Sequence, residues 1–239
     1  MGCYSRPLAA RLADWLDLTD GQRVLDVGCG PGALTEQLLP RLGTAQVAAV
    51  DPSESFVEAC RSRHPGVDVR LATAEALPFV DDTFDAAGSN LVVHFMRDPV
   101  AGISEMARVT REGGVVAATV WDLAARRAPM WPVWDALAVV APQVSDEGHV
   151  PGGAEGELVE LFRQAGVRDI DSSELDVTVT HAGFDDWWMP YLHAVGPVGE
   201  ALAALDPGDR QRVRDHCFAR LGAGPFDLTA VAFAARGRA

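Results

Sequence analysis

The stretch VLDVGCGPG, residues 24–32, decides the fold of this chain. A short apolar run that includes one acid leads into a loop with three glycines. The segment that follows, ALTEQLLPRL at residues 33–42, has the leucine spacing of a helix that packs one face on a sheet. A strand, a tight glycine turn and a helix in this order predict the first βα unit of an open α/β sheet.

The glycine loop fits two kinds of nucleotide site. Together with Ala33 it matches the dinucleotide fingerprint, and Asp51 lies where that motif places an acid on the ribose. Asp26 argues against a dinucleotide, because a carboxylate just before the glycines would repel a pyrophosphate. Pro31 also removes one backbone N–H that an anion would use. The acid favours a cationic ligand, such as the sulfonium and ammonium groups of S-adenosylmethionine.

Two segments carry a resemblance to a known family. VLDVGCGPG resembles motif I of class I S-adenosylmethionine-dependent methyltransferases, and ATAEALPFVDDTFD at residues 72–85 resembles the matching segment of the ubiquinone/menaquinone-type, or type 11, group. The resemblance implies a Rossmann-like α/β fold. Its seven-stranded, mostly parallel sheet would have the order 3-2-1-4-5-7-6, with helices on both faces and a helical cap.

The resemblance also implies how the cofactor S-adenosyl-L-methionine would be held. Asp51 would accept both ribose hydroxyls. Tyr4 and Arg6, which lie ahead of a helix expected to start near Pro7, would close over the cofactor, with Arg6 binding its carboxylate. Thr73 stands where the family has an acid for the adenine, so Ala74 and Glu75 are expected to hold the adenine. The expected cofactor-contacting residues are Tyr4, Arg6, Asp26, Gly28, Cys29, Gly30, Asp51, Pro52, Ala74, Glu75, Asn90 and Leu91.

Methyl transfer needs alignment more than a fixed set of catalytic groups, and a base is needed only when the acceptor holds its proton tightly. His94, His149, His181 and His193 are the candidate bases, and we select His193 and His94 as the catalytic candidates. His193 is preferred because it adjoins the aromatic segment WWMPYL, residues 187–192. Packing or helix capping is the alternative for His94.

Aromatic side chains are expected to line the acceptor pocket. Trp121 ends the fifth predicted strand, while Trp188 and Tyr191 lie in a predicted cap helix. Such walls suit a flat or apolar acceptor and also attract a sulfonium through cation–π contacts. Packing within the cap is the alternative for Trp188 and Tyr191.

Composition narrows the range of functions. The formal net charge is −14, and no basic cluster offsets it, which disfavours nucleic acid and anionic membranes as partners. The chain has no lysine, which excludes a Walker P-loop, a lysine Schiff base and the Tyr-x-x-x-Lys pair of short-chain dehydrogenases.

The four cysteines lack metal-binding or disulfide spacing, so no metal is expected. A cytoplasmic location is expected, since no signal peptide or membrane span is evident. We also expect a monomer or homodimer that acts on a small-molecule acceptor.

The hydrophobic pattern divides the chain into a core with two insertions. Residues 1–122 form the predicted cofactor-binding core, and residues 123–153 form a first cap segment. The core resumes at residues 154–182 with a helix and the sixth strand, residues 183–223 form a helical second cap segment, and residues 224–239 hold the last strand. Both cap segments are expected over the carboxyl edge of the sheet.

The predicted function is transfer of a methyl group from S-adenosylmethionine to a small molecule, such as a specialised metabolite or quinone-like compound, by direct displacement. Two alternatives stay open at this stage. One is an NAD-dependent oxidoreductase. The other is a member of the fold that binds the cofactor without transferring a methyl group, which the departure at Thr73 allows.

Overall fold

The structure is a computed structural model that describes residues 2–239. Seven strands form one sheet: β1 (Val24–Val27), β2 (Val47–Asp51), β3 (Asp68–Leu71), β4 (Phe84–Asn90), β5 (Thr110–Trp121), β6 (Arg168–His181) and β7 (Phe226–Arg238). The helices are α1 (Gly2–Trp15), α2 (Ala33–Leu42), α3 (Glu54–Arg63), α4 (Pro99–Val109), α5 (Trp131–Val140), α6 (Glu157–Gln164), α7 (Phe184–Trp188), α8 (Gly196–Ala204) and α9 (Pro207–Leu221). Short 3-10 turns lie at Thr44–Gln46, Val93–Phe95 and Met189–His193.

The strand order is β3-β2-β1-β4-β5-β7-β6, which confirms the predicted fold class. Strand β1 runs parallel to β2 on one side and to β4 on the other, with Val24 opposite both Val47 and Ala86. The chain therefore changes direction across the sheet beside β1, and a crevice opens there at the carboxyl ends of the strands, where ligands bind in open α/β sheets. Strand β7 is antiparallel to both of its neighbours.

The central strands are buried on both faces, which explains their apolar sequences. Every residue of β1 and β2 is buried, including the acids Asp26 and Asp51. Helices α2 and α3 lie against this part of the sheet, while α4 and α6 contact its β4, β5 and β7 side. Two buried carboxylates in an apolar sheet need a compensating partner, and both lie at or near the end of a strand where a ligand can reach them.

The two predicted cap segments share one hydrophobic cluster. Helix α5, from residues 123–153, packs against α9, from residues 183–223. Trp131, Trp134, Trp187 and Trp188 are buried together in that cluster, which also includes residues of α1, β6 and β7. The division of the chain into core and cap stays a prediction, but both segments do reach the carboxyl edge, as the site below shows.

Helix α1 differs from its sequence prediction. We expected it to begin near Pro7, with Tyr4 and Arg6 in a lead that closes over the cofactor. It begins at Gly2, and Pro7 lies within it. Pro7 is the sixth residue of this helix, so it lacks the N–H that would otherwise donate to the carbonyl of Cys3. Tyr4 and Arg6 are therefore helical residues and do not lie in a flap ahead of the helix. Within residues 2–239, no helix combines the length and apolarity that crossing a bilayer requires.

Candidate active site

A cavity of about 460 Å³ opens at the carboxyl ends of β1, β2 and β4. The glycine loop and residues of both cap segments line this cavity. Ten residues expected at the site from the sequence line this cavity: Asp26, Gly28, Cys29, Gly30, Asp51, Pro52, Asn90, Leu91, His94 and Trp121. The topology thus brings together the ends of four strands that are far apart in the sequence.

The glycine loop uses its own backbone donors. The N–H groups of Gly28 and Cys29 both donate to the carbonyl of Val50 at 2.9 Å. The N–H of Gly30 donates to Asp51 Oδ2 at 2.8 Å, and the N–H of Gly32 donates to the Cys29 carbonyl at 2.9 Å. Position 31 is a proline and has no N–H. The loop from 28 to 32 therefore offers no free row of N–H groups to a pyrophosphate.

Gly28 is required where the loop passes the segment after β4. Its φ is +72°, and an added Cβ would lie 2.5 Å from both methyl groups of Val92. A side chain at this position would therefore strain the backbone and collide with the residue that borders the cavity. The glycine in the motif serves close packing between the loop and the segment after β4.

Asp26 is buried with one oxygen satisfied and one free. Its Oδ2 accepts hydrogen bonds from the backbone N–H of Thr35 at 2.8 Å and from the Thr35 hydroxyl at 2.6 Å. Within residues 2–239, its Oδ1 has no hydrogen-bond partner. Burial raises the pKa of Asp26 to about 7, and the hydrogen bonds from Thr35 only partly oppose this. A cationic ligand in the cavity would favour the ionised carboxylate.

Asp51 holds the loop and still has acceptor capacity. Its Oδ2 accepts from the N–H of Gly30, and its Oδ1 accepts from the N–H of Ser53 at 2.9 Å. Each carboxylate oxygen has two lone pairs, so both oxygens can accept a further hydrogen bond from a ligand hydroxyl. This carboxylate meets the cavity at the end of β2, as the ribose assignment requires.

The end of β4 is held in a strained backbone conformation. Leu91 has φ +65°, an uncommon value for a branched side chain. Its N–H donates to the carbonyl of Thr119 at 3.0 Å. Asn90 accepts from the Thr119 hydroxyl at 3.0 Å and donates to the carbonyl of Ser5 at 3.2 Å. These contacts tie β4, β5 and α1 together at the cavity wall and orient the Asn90 amide.

His94 lines the cavity but is a weak base. Its ring lies 4.0 Å from the Phe95 ring, centroid to centroid, and its buried Nδ1 has no hydrogen-bond partner within residues 2–239. Burial lowers the pKa of His94 to about 4, so the ring is neutral at neutral pH. It is placed to accept a hydrogen bond from a ligand, while its basicity is low for general-base catalysis.

Tyr4 and Arg6 do not reach the cavity, which corrects their expected placement. The Tyr4 hydroxyl is 2.7 Å from His181 Nε2 in a buried contact between α1 and the end of β6. Arg6 is exposed and pairs with Glu36 of α2, with 3.3 Å between Arg6 Nε and Glu36 Oε2. Because α1 starts at Gly2, its helical geometry turns both side chains away from the site.

Ala74 and Glu75 also lie outside the cavity, apart from the other residues expected to contact the cofactor. Ala74 is buried in the core beside α4, where its Cβ is a near neighbour of Gly102. Glu75 Oε1 accepts the backbone N–H of Arg97 at 2.8 Å and that of Asp98 at 3.3 Å. The Glu75 carboxylate therefore holds the turn that leads into α4. Phe56 and Val92 do line the cavity.

Three residues of the second cap segment do not line the cavity as expected. His193 is exposed in the Met189–His193 turn. Trp188 is buried and stacks on Phe184, with ring planes inclined by 17°. Tyr191 donates from its hydroxyl to the carbonyl of Pro129 at 3.1 Å. The turn from α7 into a 3-10 segment directs both aromatic rings into the cap cluster, so the packing alternative describes them.

Several cap residues that the sequence pattern does not predict line the cavity. These are Met130 and Glu147 from residues 123–153, and residues 195–198 from the second cap segment. Glu147 lies in the irregular stretch between α5 and α6, where no periodic pattern shows which side chains point inward. Its buried position depends on packing against α5, which the sequence does not reveal. Within residues 2–239, no cluster of His, Cys, Asp or Glu is arranged to hold a metal ion.

The chain carries a recognised domain. A family model described as a methyltransferase domain matches residues 25–118. The matched methyltransferase domain begins in β1 and ends in β5, and so includes the glycine loop, Asp51 and Asn90. The family resemblance expected from residues 24–32 and 72–85 is confirmed.

Similar proteins extend this match. The chain is similar to malonyl-[acyl-carrier protein] O-methyltransferase of Salmonella typhimurium, with 41% identity over 96 residues, 40% of this chain and 38% of that protein. The chain spans about two fifths of the length of the curated relatives that it matches. Because less than half of this chain is matched, these relatives provide little guide to the acceptor.

Two solved structures share the fold over nearly the whole chain. The YcgJ protein of Bacillus subtilis superposes with a TM-score of 0.64 at 18% identity, covering 97% of this chain and 98% of that chain. Geranyl diphosphate methyltransferase, solved in complex with S-adenosylmethionine, gives a TM-score of 0.57 at 17% identity, covering 98% of this chain and 85% of that chain. At these identities the likeness shows the fold alone.

Proposed function

We propose that this chain binds S-adenosyl-L-methionine at the glycine loop and transfers its methyl group to a small molecule held under the cap segments. The methyltransferase domain of residues 25–118 supports the reaction class. The observation that carries the choice of cofactor is the combination of a free Asp26 Oδ1 and a loop whose N–H groups are already used. A carboxylate without a cation partner favours a positively charged ligand, and the loop disfavours a pyrophosphate.

The residues present fit this cofactor. Asp51 would accept the ribose hydroxyls, Asp26 would face positive charge, and the Asn90 amide would meet the amino-acid end. S-adenosylmethionine supplies a methyl group on a sulfonium, which a nucleophile displaces directly. The chain contributes binding, orientation and exclusion of water, and orientation alone is worth up to about 7–11 kcal/mol in favourable cases. Trp121, which is 1% exposed, lines the cavity where an acceptor would pack.

The proposal is tested first by calorimetric titration of the full chain with S-adenosylmethionine, S-adenosylhomocysteine and NAD. We expect both S-adenosyl compounds to bind with one site per chain and NAD to show no heat above dilution. Binding of NAD alone would replace the proposal with the oxidoreductase alternative. Failure of all three to bind would also contradict it.

Methyl transfer is tested separately from binding. Chain loaded with methyl-labelled S-adenosylmethionine is incubated with a library of small amines, phenols and acids, and labelled products are separated by chromatography. We expect a labelled product together with S-adenosylhomocysteine in equal amount. Tight cofactor binding without any labelled product would favour the alternative in which the fold binds the cofactor without transfer.

A further inference from the structure

The cavity has two chemically different ends. The core end consists of the glycine loop with Asp26 and Asp51, which the proposed function assigns to the cofactor. The second end is lined by Met130, Glu147 and residues 195–198 of the cap, together with Trp121 at the end of β5, which shares a hydrophobic cluster with Met130. The proposed function leaves this second end to the acceptor, so the groups there bear on what the acceptor must carry.

Glu147 is the charged group at the cap end. Its side chain borders the cavity although the residue is only 6% exposed. Its Oε2 accepts a hydrogen bond from Trp134 Nε1 at 3.0 Å, and this is the one hydrogen bond that the carboxylate accepts within residues 2–239. Trp134 lies on α5 and is itself buried, so the carboxylate is held by a rigid donor.

No cation within residues 2–239 pairs with Glu147. All sixteen ion pairs of the described chain join other residues. Burial raises the pKa of the Glu147 carboxyl, the Trp134 hydrogen bond lowers it, and the neighbouring charge of Asp146 raises it. The other titratable groups on the cavity wall are Asp26, Cys29, Asp51 and His94, none of which brings a positive charge at neutral pH.

Two other side chains that line the same cavity suit an organic cation. Trp121 offers an aromatic surface, and Met130 offers a polarizable thioether that adapts to ligand shape. A buried carboxylate without a counter-charge is costly, and a ligand cation would remove that cost, whereas a neutral hydroxyl would not. The net charge of −14 also draws cations toward the protein.

We propose, building on the proposed function, that Glu147 selects an acceptor that carries an aliphatic ammonium group next to an aromatic or apolar ring. Glu147 pairs with the ammonium, Trp134 holds the carboxylate in place, and Trp121 with Met130 covers the ring. Glu147 is thus a specificity-determining residue of the acceptor end, separate from Asp26 and Asp51 at the cofactor end.

The test uses the full chain saturated with S-adenosylhomocysteine. Three pairs of probes differ only in the charged group: benzylamine and benzyl alcohol, phenethylamine and phenethyl alcohol, tryptamine and tryptophol. We expect at least one amine to bind about tenfold or more tightly than its alcohol, which is the effect of one desolvated charge pair. Equal binding within all three pairs overturns the proposal without affecting the proposed function.

Two variants test whether Glu147 causes the preference for the amine over the alcohol. Glu147→Gln keeps the shape and an acceptor for Trp134 but removes the charge, so the amine should bind no better than the alcohol. Asp146→Asn removes the same charge one residue away, on an exposed side chain, and should keep the amine preference. An amine preference that survives in Glu147→Gln overturns the assignment.

Cofactor affinity separates this inference from the proposed function. Glu147→Gln should bind S-adenosylhomocysteine within about twofold of the wild type, because the cofactor end is unchanged. A loss of S-adenosylhomocysteine affinity equal to the loss of amine affinity would place Glu147 at the cofactor and overturn the proposal. If Glu147→Gln does not fold, Glu147→Asp keeps the charge but withdraws the carboxylate by one methylene, and it should reduce the amine preference.

Discussion

Asp51 Oδ2 accepts a hydrogen bond from the backbone N–H of Gly30 at 2.8 Å, so the acid that ends β2 holds the loop that follows β1. The two residues are 21 positions apart in the sequence. One carboxylate therefore shapes the loop and presents its remaining lone pairs to the cavity. Loss of Asp51 should affect both the loop and the ligand.

The first prediction concerns Asp51→Ala. Removing the carboxylate leaves the N–H groups of Gly30 and Ser53 without acceptors and removes the proposed ribose contact. Hydrogen bonds to charged groups are worth about 1.5–3 kcal/mol each, so S-adenosylhomocysteine affinity should fall at least about tenfold. Calorimetry on Asp51→Ala and on the exposed control Asp20→Ala measures this. Unchanged affinity in Asp51→Ala would remove Asp51 from the cofactor site.

The second prediction compares two glycines that share a positive φ. Gly21 has φ +83° with open space where a Cβ would lie, whereas Gly28 has φ +72° and a Cβ there would meet two Val92 methyl groups at 2.5 Å. Gly21→Ala should show only the backbone cost, and Gly28→Ala should add about 1–3 kcal/mol for overpacking. Urea unfolding of both variants gives the difference. Equal free energies of unfolding would show that Val92 moves aside without cost.

The third prediction concerns the pH dependence of stability at Asp26. Its folded pKa is raised from 3.8 to about 7, so its contribution to stability is full below pH 3.8 and is lost as the pH rises through 7. The free energy of unfolding of the wild type should therefore fall relative to Asp26→Asn between about pH 4 and 7. A shift of this size corresponds to roughly 4 kcal/mol.

The contribution of His94 to stability changes with pH in the opposite direction from that of Asp26. The wild type is therefore compared with Asp26→Asn, which also contains His94. Its pKa is lowered to about 4, so its contribution is present above its unfolded pKa and is lost as the pH falls toward 4. Because both proteins contain His94, subtracting the two pH profiles isolates Asp26. The profiles come from urea unfolding at closely spaced pH values. If the difference between the two profiles does not change with pH, folding does not shift the pKa of Asp26.

The fourth prediction concerns Tyr4→Phe. The hydroxyl faces His181 Nε2 in a buried contact, and its loss leaves the imidazole nitrogen without that partner. The free energy of unfolding should fall by about 1–3 kcal/mol, the cost of an unsatisfied buried polar group. S-adenosylhomocysteine affinity should stay within about twofold, as Tyr4 lies outside the cavity. Unchanged stability with lost affinity would instead favour the family-implied role of Tyr4 at the cofactor.

The parts of the site that were predictable from sequence lie at strand ends. Asp26, Asp51 and Asn90 each end a buried strand or lie one residue from its end, and parallel strands bring their carboxyl ends to one edge. Such residues are located by the period and composition of the strands alone. The seven-stranded order followed from the family resemblance, and the structure confirms it.

The cap side chains were not predictable in the same way. Trp188 and Tyr191 are predicted to line the pocket from a cap helix, but that helix breaks into a 3-10 turn and both rings pack inside the cap. The place of Glu147 in the cavity wall was not predictable because the residue lies in an irregular segment. In such segments the direction of a side chain depends on contacts with residues outside the segment, here Trp134.

The sequence by itself determined the βα unit at residues 24–42, the acids at the ends of β1 and β2, and the exclusion of lysine-dependent chemistry. These properties follow from local backbone preferences, from strand periodicity and from composition. Only the tertiary structure decided which residues of α1 and the cap face the cavity. Tyr4 contacts His181 instead of the cavity, and Glu147 lines the cavity. The physical reason is that burial of a polar side chain depends on a partner, and the partner is supplied by another segment of the chain.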